Sequence, residues 1–133
     1  MDKALAFIVE DSSILAIFFA KVLADAEYEV EIMTDGQEAL TRLEGLEGTV
    51  PDLILLDLNI PNVSGEKVLA RIRSDKRFTD TRILVTSGNA TRAGQLRDKD
   101  ALILHKPVDY HQLRQLSAIL HPFYQSTHIF PSG

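Results

Sequence analysis

The sequence predicts a doubly wound α/β protein on a five-stranded parallel sheet, with helices covering both faces. Three observations predict it. Five short apolar runs, often β-branched and bounded by turn or polar residues, have the length and composition of buried strands. Helix-period segments separate them, and strands alternating with helices imply right-handed crossovers and a parallel sheet. Four of the runs also end abruptly in a carboxylate, a hydroxyl or an ammonium. In an open parallel sheet such residues meet in one crevice, outside the carboxyl ends of the strands.

The strand runs are Leu5–Val9, Glu29–Met33, Leu53–Leu56, Ile83–Thr86 and Leu102–Leu104. After the first, Ile14, Phe18 and Val22 repeat at four-residue spacing beside Leu15, Phe19 and Leu23, giving a helix with a broad apolar face. Ser12 or Ser13 caps it. Asp35-Gly36 is a turn into a second helix with Ala39, Leu40 and Leu43 inward. A third opens near Gly65 and buries Val68, Leu69 and Ile72. Between Gly88 and Ala101, Ala90, Ala93 and Leu96 keep helical spacing, but Gly94 sits in the middle and residues 97–100 are all charged, which predicts a short or irregular helix. The last helix starts near Asp109, turns Leu113, Leu116 and Leu120 inward, and stops before Pro122. Residues 1–121 read as one domain. Residues 122–133 form a tail whose Phe123, Tyr124 and Phe130 either pack on the domain or engage a partner.

At 133 residues and 45% hydrophobic composition, the chain can bury a single core without staples. Having no cysteine, it offers no disulfide, thiolate metal site or thiol nucleophile. A net charge of −5 and a pI of about 5.3 argue against nucleic acid as a partner, because phosphate contacts need a positive surface. The most apolar helical stretch, Ile14–Ala24, is interrupted by Lys21 and is too short to span a membrane. The run before Glu10 is too short for a signal peptide, so a cytoplasmic protein is expected. His105, His111, His121 and His128 show no metal-site spacing and are assigned surface or partly packed positions. Arg71, Arg73, Lys76 and Arg77 read as a solvated face.

Asp57 ends the fully apolar run Leu53–Leu56, where an N-cap or turn aspartate is the ordinary explanation. Its company argues for more. If Glu10, Asp11 and Asp57 converge, each pair about 4 Å apart repels by roughly 4 kcal/mol at an effective dielectric of 20. A compensating cation is required. Oxygen-only ligands favour a hard ion, and Mg2+ is usually held by a few carboxylates, water and a phosphate. Lys106 adds a positive charge and Ser87 a hydrogen-bond donor. A divalent ion, an ammonium and a hydroxyl around a carboxylate nucleophile are the parts of a phosphoryl-transfer site.

On these residues the chain resembles the receiver domains of two-component response regulators, from about residue 4 to residue 120. The resemblance rests on Glu10-Asp11, on Asp57 with Pro61 and Gly65, on Ser87-Gly88 and on Lys106-Pro107, in that order and at suitable spacing. It implies a flavodoxin-like sheet of order 2-1-3-4-5 in three α/β/α layers. It further implies that Asp57 is the phosphoacceptor, and that Glu10, Asp11, Asp57 and the backbone carbonyl of Asn59 hold Mg2+. Ser87 would bind a phosphoryl oxygen, Gly88 would keep the entrance open, Lys106 would contact Asp57 and then the phosphoryl group, and the bond before Pro107 would be cis. The implied partners are a histidine kinase or histidine phosphotransfer protein and a downstream target. The implied chain is a cytoplasmic monomer without an output domain. It is not an enzyme beyond Mg2+-dependent self-phosphorylation and slow autodephosphorylation.

Three departures stand out. Glu10 replaces the usual aspartate, a change that places water between carboxylate and metal. Ile103 replaces the aromatic whose rotamer reports phosphorylation in the family, and the interval from Ser87 to Lys106 is short. Other readings are weaker. A haloacid-dehalogenase-like phosphatase places its nucleophile after the first strand with an aspartate two residues on, where this chain has Asn59 after the third. A flavin protein of this fold class needs a phosphate loop after the first strand. A receiver-fold interaction module working without phosphorylation would not need the complete set of acidic, hydroxyl and ammonium groups.

Overall fold

The computed structural model describes residues 3–96 and 101–124. The chain runs β1 (Ala4–Val9), α1 (Ser13–Asp25), β2 (Tyr28–Met33), α2 (Gly36–Glu44), β3 (Leu53–Asp57), α3 (Gly65–Arg73), a 3-10 turn (Lys76–Phe78), β4 (Arg82–Ser87), α4 (Ala90–Gly94), β5 (Ala101–His105) and α5 (Tyr110–Ile119). All the strand pairs are parallel, as the alternation of strands and helices predicts, and the order is β2-β1-β3-β4-β5, as the resemblance implies. Strand order reverses between β1 and β3, so the carboxyl ends of those strands open onto the crevice.

Alternation along the strands divides the core into two layers. Phe7, Val9, Ile54, Leu56, Ile83 and Val85 pack with α2 and α3, through residues such as Ala39, Val68 and Leu69. Ala6, Ile8, Leu53, Leu55, Leu84 and Leu104 pack with α1 and α5, through Phe19, Val22, Leu23 and Leu113. Central β3 is buried along its whole length, which explains its unbroken apolar run.

Side-chain caps start the helices: Ser12 for α1, Asp35 for α2, Ser64 for α3, Asn89 for α4 and Asp109 for α5 each accept a backbone N–H three residues on. Gly36 and Gly65 begin their helices against backbone. A Cβ on Gly36 would lie 1.9 Å from the Val63 carbonyl oxygen, and one on Gly65 2.5 Å from the Asp57 carbonyl oxygen. Both helices therefore enter directly against the β3–α3 connection.

Three sequence expectations are corrected. Ile14 lies outside the apolar face of α1 and is 80% exposed, as Ile17 is at 67%. At about 100° per residue, the buried side centres on Ala16, Phe19, Val22 and Leu23. Ile14 and Ile17 fall on the far side of that centre. Gly94 closes α4 rather than interrupting it. His121 is buried against Tyr28, with ring centroids 4.9 Å apart, its Nε2 2.9 Å from the Glu27 carbonyl oxygen and its Nδ1 accepting the Phe123 N–H. The charged segment 97–100 and the tail beyond residue 124, with His128 and Phe130, lie outside the described residues.

Candidate functional site

β1 and β3 are paired in register, Val9 opposite Leu56, so Glu10 and Asp57 leave the sheet side by side. Each is two residues beyond a member of the α1/α5 layer, Ile8 or Leu55, and both are almost fully buried at 1% and 3% exposure. Asp11 begins the connection to α1 and is exposed. One carboxylate oxygen from each of the three lies within 4.8 Å of the others.

Hydrogen bonds fix this cluster from several elements. The Ser12 N–H donates to Glu10 Oε2 at 3.1 Å while the Ser12 hydroxyl caps α1. Asp57 Oδ1 accepts the Asn59 N–H at 3.1 Å. From the end of β5, Lys106 Nζ donates to Asp57 Oδ2 at 2.9 Å and Glu10 Oε1 at 3.1 Å. Its own N–H is held by the Ser87 carbonyl at 2.8 Å, and the Lys106–Pro107 bond is cis.

The electrostatics follow from burial. Desolvation raises the Glu10 carboxyl above the usual carboxylate value, the Ser12 amide opposes this, and the Asp57 charge adds to it. Burial works against the Lys106 charge, but its hydrogen bonds to Asp57 and Glu10 outweigh it and leave the ammonium more basic than usual. Two buried carboxylates thus share one ammonium. The donor set fits a small hard cation: three carboxylates with one on the open side, and an exposed Asn59 at the mouth.

Ser87 stands at the end of β4, buried, with its hydroxyl donating to the Asn89 carbonyl and accepting the Asn89 N–H, both at 3.0 Å. The hydroxyl expected to bind a phosphoryl oxygen is therefore engaged with the cap of α4. Next to it, a Cβ on Gly88 would meet nothing within 4 Å, so the mouth is open there. Ile103 lies in the middle of β5, 36% exposed.

Two residues near the site were not singled out from sequence. Arg92 of α4 donates to the Leu58 carbonyl at 2.7 Å and to both oxygens of Glu66 on α3. Thr86, paired in register with Asp57, is 1% exposed. An arginine in a short polar helix and a threonine in a strand carry no sequence signal of their own.

A family model described as the response regulator receiver domain matches residues 6–118. Response regulator ArlR of Staphylococcus saprophyticus is 37% identical over 109 residues, which are 80% of this chain and 47% of that protein. Sensor histidine kinase TmoS of Ectopseudomonas mendocina is 30% identical over 116 residues, 85% of this chain and 12% of that protein. The chain spans less than half the length of these curated relatives. Among solved structures, the phosphorylated cyanobacterial phytochrome response regulator RcpA superposes with a TM-score of 0.72 at 30% identity, covering 98% of this chain and 99% of that one.

Proposed function

The chain belongs to the response regulator receiver domain family, and from that premise we propose that it accepts a phosphoryl group on Asp57 from a histidine kinase or a histidine phosphotransfer protein. The observation that carries this is the pairing of a buried Asp57 carboxylate with Lys106 Nζ at 2.9 Å beside the Glu10 and Asp11 carboxylates. An Asp57 oxygen attacks phosphorus, the bond from phosphorus to the donor nitrogen breaks, and that nitrogen leaves with its electron pair. Glu10, Asp11, Asp57 and the Asn59 carbonyl would hold Mg2+, which when bound neutralises charge on the transferring group.

The protein's own groups do the positioning. Lys106 moves its ammonium from the carboxylate pair toward the phosphoryl oxygens. Ser87 exchanges its Asn89 partner for a phosphoryl oxygen, and Gly88 leaves room for the donor. The product is an acyl phosphate lost by slow autodephosphorylation, so the domain acts as a phosphoacceptor rather than by turnover of a separate substrate. Among the described residues no helix is long and apolar enough to cross a membrane. We place the domain in the cytoplasm as a monomer that carries phosphate onward, drains it, or binds a target when phosphorylated.

Acetyl phosphate with Mg2+ tests the reading by intact mass. One labile phosphate is expected on the wild type and none on Asp57→Asn. Phosphate on Asp57→Asn at the wild-type level would overturn the assignment.

A further inference from the structure

Beside the phosphoacceptor lies a second hydroxyl that the reaction described above does not use. Thr86 Oγ1 is buried and without a hydrogen-bond partner, a property shared among the described residues only with Ser117 Oγ. An unpartnered buried hydroxyl is disfavoured relative to a methyl of the same shape, so its presence asks for a reason.

Its place in the sheet supplies one. Thr86 is in register with Asp57 on β3 and with Leu104 on β5. Leu55, Leu84 and Leu104 all face the α1/α5 layer. By alternation Asp57 and Thr86, two residues beyond Leu55 and Leu84, face the same way. Glu10, Asp57 and Thr86 thus form one row across β1, β3 and β4. Lys106 starts beyond the end of β5, yet its Nζ reaches Asp57 and Glu10. Because β4 separates β5 from β3, the lysine stem crosses the end of β4 where Thr86 is the last residue on that face.

A lysine ammonium has three N–H donors, and two are engaged with the carboxylates. We propose that Thr86 is a positioning residue for Lys106, its hydroxyl accepting an ammonium N–H when Lys106 turns from Glu10 to the phosphoryl group. Rotation about χ1 exchanges the hydroxyl and methyl within the same volume, so no backbone movement is needed. The hydroxyl then holds the cation over Asp57 and limits its wandering among phosphoryl oxygens. This rests on Asp57 being the phosphoacceptor.

The experiment compares wild type, Thr86→Val and Thr86→Ser, each folded by circular dichroism. Four quantities are read: the rate of phosphate uptake from acetyl phosphate, the rate of loss after donor removal, Mg2+ affinity and the melting temperature. Thr86→Val should take up phosphate at least about 5-fold more slowly, with Mg2+ affinity within 2-fold of wild type and a melting temperature no lower. Thr86→Ser should recover uptake to within about 2-fold. Wild-type uptake and loss in Thr86→Val would overturn the proposal, as would an equal loss in both variants, which would assign the effect to shape. A wild type that takes up no phosphate would instead sink the assignment of Asp57.

Discussion

Arg92 and Glu66 form a two-pronged ion pair between α4 and α3, and the same guanidinium nitrogen that meets Glu66 Oε1 at 2.6 Å donates to the Leu58 carbonyl at 2.7 Å. Leu58 directly follows Asp57, and its carbonyl also accepts the Gly65 N–H. The guanidinium therefore ties α4, a single helical turn and a half, to the first residue of the β3–α3 connection. Together with the exchange between Ser87 and Asn89, it gives α4 two polar anchors, one at the end of β4 and one at the residue that follows β3.

The pair makes stability depend on pH in a defined direction. The Arg92 hydrogen bond holds the Glu66 carboxyl below its ordinary value of 4.5. A carboxyl depressed in the folded state contributes stability that is fully present above its unfolded value and is lost as pH falls through the folded one. With side chains 30% and 37% exposed, solvent screening limits the pair to about 0.5–1 kcal/mol. Glu66→Gln should melt below wild type near neutral pH, and the gap should close on acidification below 4.5. Arg92→Ala should cost about 1–2 kcal/mol, since the Leu58 carbonyl also loses a charged donor. Urea titrations across pH decide this, and a gap that stays constant with pH would refute it.

The proposed Mg2+ site should respond differently to loss of the exposed Asp11 and of the half-buried Lys106. Asp11→Ala removes a carboxylate and should weaken Mg2+ binding about 10-fold or more. Lys106→Ala removes the cation that Glu10 and Asp57 share, so Mg2+ affinity should be equal or tighter while the response to phosphate is impaired. Without metal, breaking this buried pairing leaves two uncompensated carboxylates and should lower stability by about 2–4 kcal/mol. Added Mg2+ should then raise the melting temperature of Lys106→Ala more than that of wild type.

Gly65 is required by contact rather than by backbone dihedral. A methyl there would meet the Asp57 carbonyl oxygen and the Leu58 Cα, both at 2.5 Å, and neither can yield without moving Asp57. Gly65→Ala should lose about 2 kcal/mol or more through overpacking and should weaken Mg2+ binding as well. A stable variant with unchanged Mg2+ affinity would show that α3 can shift independently of Asp57.

The parts legible in sequence are those where one local pattern decides. The buried strands are short apolar runs, and Glu10, Asp11, Asp57, Ser87 and Lys106 are chemistry placed at strand ends, so the topology alone brings them together. What sequence did not show depends on orientation or on distant partners. The seven large apolar residues of α1 exceed one helix face, and spacing alone could not say that Phe19 turns inward while Ile14 turns out. Arg92 finds Glu66 across 26 residues. His121 becomes a buried partner of Tyr28 only because α5 returns the chain beside β2. The orientation of α1 is directly testable: Ile14→Ser should change stability by no more than about 0.5 kcal/mol, whereas Phe19→Ala should cost about 3–5 kcal/mol.

The last prediction concerns how phosphorylation leaves the site. Ile103 cannot make the hydrogen bond or the wide rotamer swing of an aromatic ring, and its β-branch restricts χ1. It sits 36% exposed on the edge strand β5, while α4 ends at Gly94. The polar contacts that tie the strand ends near Asp57 to α4 run instead from Ser87 to the Asn89 cap and from Leu58 to Arg92. When Ser87 turns to a phosphoryl oxygen, the Asn89 carbonyl loses one of its two donors and keeps the Ala93 N–H, so the first turn of α4 loosens against the Arg92 anchor. Amide exchange with and without beryllofluoride and Mg2+ should therefore change mainly across residues 58–64 and 88–94. It should change little through Ile103 and α5, and the protein should stay monomeric. Arg92→Ala should spread the change through α4 without slowing phosphate uptake by more than about 2-fold. Large concerted changes through β5 and α5, with dimers forming only when the mimic is bound, would show that the signal travels by the face this chain has left without its aromatic.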